Sequence, residues 1–156
     1  MPSPVFIIVC SDVSQDRTTS RLSMFSLVER IEFVINDDTK FRERNGVRFS
    51  SSHPYKAVAV WLREEGDEEI EFEHEFCAST DTDSHAPMAP IADCQFRKEF
   101  HRANFILNAD VLPTPPGTGT IWIESRLRRK GDQEWLMQRY PLHIELVSQS
   151  TPASAE

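Results

Sequence analysis

Apolar and polar positions alternate with a period of two over much of this chain, most legibly between Gly117 and Val147. Ile121, Ile123 and Leu127 alternate with Trp122, Glu124, Arg126 and Arg128. After Lys130-Gly131-Asp132-Gln133 the same period resumes through Leu136, Tyr140, Leu142, Ile144 and Leu146. Alternation on both sides of a turn-forming tetrapeptide predicts a long antiparallel hairpin. A lone hairpin is marginal in water, so other strands must cover its apolar face.

Those strands are readable upstream. Val5 to Cys10 is an almost unbroken apolar run, which in a strand implies burial on both faces and a central place in a sheet. From Arg21 to Ile35 a helical stripe (Met24, Leu27, Val28, Ile31, Ile35) competes with a strand face (Phe25, Leu27, Ile31, Phe33, Ile35). Strands are favoured, because β-branched and aromatic residues crowd the second half and the serines are weak helix formers. Lys56 to Arg63 alternates again, Glu64-Glu65-Gly66-Asp67 turns the chain, and Glu69 to Phe76 sends Ile70, Phe72, His74 and Phe76 one way and four glutamates the other. This reads as a second hairpin. Phe96 to Leu107 predicts one more strand, closed off by Pro113, Pro115 and Pro116.

Two polar stretches separate these elements. Residues 36–55 carry Asn36-Asp37-Asp38, Asn45-Gly46 and three consecutive serines, with a short irregular strand expected around Val47 to Phe49. Residues 78–93 are rich in Ser, Thr, Asp and Pro. Both read as long loops, where binding tends to reside. The count is about seven or eight strands without a confident helix, which predicts an all-β chain: an antiparallel β-sandwich of immunoglobulin-like or C2-like build. One domain over residues 1–148 and a frayed tail over 149–156 are expected.

Composition narrows the partners. Seventeen Lys and Arg stand against 25 Asp and Glu, a formal charge of −8, so the outer field repels phosphate backbones and anionic lipids. Neither nucleic acid nor membrane is expected as a partner. Cys10, Cys77 and Cys94 are an odd number, which suits free thiols in a reducing compartment. The Val5 to Cys10 run is too short to span a bilayer and has neither a basic flank nor a cleavage pattern, so a cytoplasmic protein is expected.

Three segments carry a resemblance. Val5-Phe6-Ile7-Ile8-Val9-Cys10-Ser11-Asp12-Val13 leads through a polar turn into Arg21-Leu22-Ser23-Met24-Phe25-Ser26-Leu27-Val28, and Pro115-Pro116-Gly117 opens the final strand pair. The chain resembles a family of small uncharacterised bacterial β-sandwich proteins that open with a hydrophobic strand, a Cys-Asp-Asp-Val-like turn and a Lys-Leu-Ser-Leu-like second strand. Ser11 stands where that family carries an acidic residue, and no glycine precedes Leu22. The resemblance implies a fold and a bacterial source, and no reaction.

Several side-chain groups could carry chemistry. Eight of the twelve residues from Glu64 to Glu75 are acidic; they read as a solvated strand face that protects a sheet edge, rather than as a cation site. Asp37-Asp38 and Asp81-x-Asp83 lie in the two loops, as in a C2-like calcium site, without a motif that fixes their geometry. Arg126, Arg128, Arg129 and Lys130 form a basic cluster, read as a solvated hairpin tip or a contact for acidic groups of a partner. His74, Cys77, His85 and Cys94 supply enough atoms for zinc, but their spacing matches no compact zinc module, and His74 and Cys77 face opposite ways on one strand. They read as a partly buried histidine and inert thiols.

No Gly-x-Ser-x-Gly elbow, His-Glu-x-x-His pair or phosphate-cradling loop is present. An enzyme would draw on His53, His85 or His101. No residue is assigned a catalytic, cofactor-binding or metal-ligating role, and no cofactor is expected. The sequence thus predicts a non-catalytic protein-interaction or structural module whose partner is a protein. The alternative is a small-ligand or calcium-dependent binding module using residues 36–55 and 78–93.

Overall fold

The computed structural model describes residues 1–80 and 84–149, which form eleven strands, a single 3-10 turn and no α-helix. Among the described residues no helix is long and apolar enough to cross a membrane. The strands are β1 (Ser3–Gln15), β2 (Leu22–Leu27), β3 (Arg30–Ile35), β4 (Arg42–Arg44), β5 (Val47–Leu62), β6 (Glu71–Ser79), β7 (Ala86–Pro87), β8 (Ala92–Gln95), β9 (Arg102–Thr114), β10 (Gly119–Arg129) and β11 (Leu136–Ser148). One sheet runs β2-β1-β5, with β4 beside the start of β5 and β9 along its other edge. The second runs β3-β11-β10-β6, with β7 and β8 flanking β6.

The inner faces share one core. Ile7, Val9, Ala57 and Ala59 from the first sheet meet Phe76, Ile121, Ile123, Leu142 and Ile144 from the second, all buried. A smaller cluster gathers Trp61, Phe72, Phe96 and Leu127 at one end. β1 lies between β2 and β5, the internal position that its apolar run predicts. The β10–β11 hairpin forms in the register that the sequence implies, with Ile121 opposite Leu142 and Ile123 opposite Tyr140. Its turn uses Gly131 at φ 93°, a left-handed conformation that costs glycine nothing.

Four expectations are corrected. The all-antiparallel arrangement fails at one pair, because the chain changes sheets at Val28 and Glu29 and β3 enters beside the last strand, β11, in the same direction. The second hairpin does not form: β5 and β6 lie in different sheets, and the 3-10 turn Asp67–Glu69 carries the chain across. Asp67 is buried there and accepts the Glu64 backbone N–H at 2.9 Å. The strand expected from Phe96 begins only at Arg102 and continues through Pro113 to Thr114. Pro113 fits because β9 pairs with β5 alone and needs no amide on its open edge.

The first of the long loops is largely strand, and the second holds short strands. Asn45 (φ 45°) and Gly46 (φ 78°) form a two-residue turn between β4 and β5, β5 starts at Val47, and β7 and the start of β8 lie within the second polar stretch. Short, polar strands such as Arg42–Arg44 carry too little apolar alternation to be read from sequence. Asp81 and Asp83 lie outside the described residues, as does the expected tail beyond Gln149.

Candidate functional site

The acidic strand and the basic cluster are neighbours in one sheet. β6 is internal rather than an edge, between β10 on one side and β7 and β8 on the other. The β6–β10 register sets Glu75 opposite Arg126 and Glu73 opposite Arg128. Ion pairs follow at 3.3 Å for Arg126–Glu75 and 2.7 Å for Arg128–Glu73, while Lys130 meets Asp93 at 2.9 Å and Glu71 at 3.5 Å. The guanidinium carbons of Arg126 and Arg128 lie 4.8 and 4.2 Å from the centre of the Trp135 ring. Opposite charges in direct cross-strand register stabilise a sheet, and here they satisfy each other within the chain.

Further along the same face, Glu124 is fully buried although it points away from the core. Arg139 Nη2 donates to its Oε1 at 2.6 Å, and His85 Nδ1 is 2.6 Å from its Oε2. Arg139 in turn stacks over Trp122 at 5.0 Å. A histidine joined to a carboxylate is half of a familiar catalytic arrangement. Cys77, opposite Glu124 in the register, has its thiol pushed up to about 12 by burial and, second, by the charge of Glu75. Both effects favour the protonated thiol at neutral pH.

The zinc candidates are dispersed. His74 points into the core, stacked on Phe105 with ring centroids 3.8 Å apart, while Cys77 lies on the opposite face of β6. Burial lowers His74 to about 3, and burial with the charge of Asp93 pushes Cys94 up to about 12. Trp61 Nε1 donates to Ser125 Oγ at 2.9 Å, and His74 Nε2 shares a hydrogen bond with the same oxygen at 2.8 Å. The trio ties β5 of one sheet to β6 and β10 of the other. Among the described residues no three His, Cys, Asp or Glu side chains converge on a metal position. Asp37 and Asp38 occupy the turn whose backbone is held by Asn36 and Thr39. His101 is exposed.

A broad concavity lies where β3 faces an irregular stretch of β5. Between the pairs Ser51↔Val111 and Tyr55↔Ala109, β5 advances four residues and β9 two, so β5 buckles by two residues at Ser52-His53-Pro54. On its other edge β5 pairs with β4 only up to Phe49 and with β1 only from Lys56, which leaves that edge uncovered between them. The gap is a cleft of 630 Å³. Val28, Ile31, Phe33 and Val34 line one wall; Pro54, Tyr55 and Leu112 line the other; Ser11, Glu32 and His53 bring polar groups to it. Tyr55 is anchored by a hydrogen bond to the Val111 carbonyl at 2.8 Å, and burial, helped by the charge of Asp110, keeps its phenol protonated.

Sequence reasoning placed a binding loop over residues 36–55, and its last five residues do line this cleft. It missed Val28 to Val34, whose signal was an apolar strand following a polar turn with nothing in sequence to say which neighbour was absent. A scan against protein-family models and a search of the curated proteins find no match for this chain.

Proposed function

We propose that this chain is a non-catalytic binding module that holds a small apolar ligand in the cleft between β3 and β5. The observation that carries the reading is the cleft itself. Its 630 Å³ falls within the range of small-molecule sites, and apolar side chains with a few polar groups line it, as such sites usually are. The frame is read as an immunoglobulin-like or C2-like β-sandwich of a cytoplasmic, bacterial protein, akin to the family it resembles. The pairing of Glu73 and Glu75 with Arg128 and Arg126 engages much of both charged groups within the chain. One feature favours a protein-interaction reading: β2 is an edge strand with Phe25 and Leu27 exposed at 53% and 61%, open to a strand added by another protein.

The cleft reading is tested with an environment-sensitive apolar dye such as N-phenyl-1-naphthylamine. Val34 is 41% exposed at the cleft, so Val34→Glu should fold normally and weaken dye binding at least tenfold. Val5→Glu, at a more exposed apolar position outside the cleft (52%), should leave binding unchanged. Equal affinities for both variants and the parent would contradict the proposal.

A further inference from the structure

Six of the seventeen Lys and Arg side chains form an ion pair with a carboxylate among the described residues. Arg63 pairs with Glu68 at 2.5 Å, Arg126 with Glu75, Arg128 with Glu73, Arg139 with Glu124, Lys130 with Asp93 and Arg30 with Glu145. Lys40, Arg42 and Arg44 form no ion pair among the described residues, yet all three line one pocket of 300 Å³. Arg42 and Arg44 are alternate residues of β4 and so share a side of the strand, while Glu43 between them takes the other. The rest of the wall is Phe49, Ser50, Ser51, Met88 and Val111, and the Arg44 guanidinium carbon stands 5.9 Å from the Phe49 ring centre.

Three cations around one concavity repel one another unless an anion joins them. The pocket draws on both polar stretches of the sequence, 36–55 and Met88 from 78–93. Its charge is the wrong sign for calcium and the right sign for an anion. We infer that it binds a small organic carboxylate, with the head group between Arg42, Arg44 and Lys40 and a short apolar body against Phe49, Met88 and Val111. Planar guanidinium groups bind carboxylates in paired hydrogen bonds, and the serine hydroxyls add donors. The apolar wall is what distinguishes this ligand from inorganic phosphate.

NMR titration of the full chain at low salt tests the assignment, with hexanoate, acetate and inorganic phosphate as probes. Hexanoate should bind more tightly than the other two, and Arg42→Gln/Arg44→Gln should weaken it at least tenfold. The control Arg21→Gln/Arg129→Gln removes two exposed arginines that line neither this pocket nor the cleft and should have little effect. Stronger binding of phosphate than of hexanoate, or equal losses in the two double variants, would overturn the inference. Because Ser51 also borders the larger cleft, Val34→Glu is run beside them. Hexanoate binding that survives in the arginine variant and disappears in Val34→Glu places the acid in the apolar cleft and overturns the inference while leaving the cleft proposal standing.

Discussion

Arg139→Met is expected to destabilise the fold by about 3–5 kcal/mol, the usual consequence of removing one partner from a buried ion pair. Glu124 is fully buried, and Arg139 supplies the charged hydrogen bond to one of its oxygens. Without the guanidinium, a buried carboxylate faces only His85. The cost belongs to the orphaned charge rather than to the attraction that was lost, so Glu124→Leu/Arg139→Met should recover most of it: His85 is 24% exposed and can turn to water. Urea unfolding of the two variants measures this. A single-variant loss below about 1 kcal/mol would mean that water reaches Glu124.

Acid should weaken the protein through His74 well before most carboxylates titrate. Burial holds His74 at about 3 in the folded chain, against 6.5 for an ordinary histidine. Between those values the unfolded chain binds a proton that the folded chain refuses. The stability His74 contributes is therefore complete above pH 6.5 and declines as pH falls, by up to about 1.4 kcal/mol per pH unit. Protonated His74 would be a second donor to Ser125 Oγ, which already accepts from Trp61. His74→Phe keeps an aromatic ring for Phe105 and removes the proton. Between pH 6.5 and 4 the unfolding free energy of the variant should fall less steeply than that of the parent, by nearly one proton. Parallel curves would contradict the burial of a neutral imidazole.

How far the sequence carried this picture depends on what each element needed from its neighbours. The β10–β11 hairpin was legible because its alternation and the Gly131 turn are both local. So was the inward face of β6, where Phe72, His74 and Phe76 are all buried. What alternation cannot say is which strand pairs with which. β5 and β6 are consecutive, alternating and joined by a short acidic turn, yet they lie in separate sheets because Asp67 is buried in a 3-10 crossing. The same limit turned the glutamates of β6 into an edge in the sequence reading, when they face Arg126 and Arg128 across an internal pair.

The cleft was half legible. Its polar wall falls in residues 51–55, inside the stretch where binding was expected, but its apolar wall comes from β3, whose exposure depends on a two-residue buckle in another strand. The basic pocket was hidden for a related reason. Arg42-Glu43-Arg44 reads as an ordinary polar stretch until the Asn45-Gly46 turn folds it back along β5.

The most direct test of the account is an NMR titration of the uniformly nitrogen-15-labelled chain with N-phenyl-1-naphthylamine, following each backbone amide. Binding in the cleft should shift the amides of Val28, Ile31 to Val34, Ser51 to His53, Tyr55 and Leu112, and leave those of β2 near Phe25 and Leu27 in place. Shifts confined to β2, or none at millimolar dye, would contradict a ligand cleft and favour the open strand edge as the surface on which this protein works.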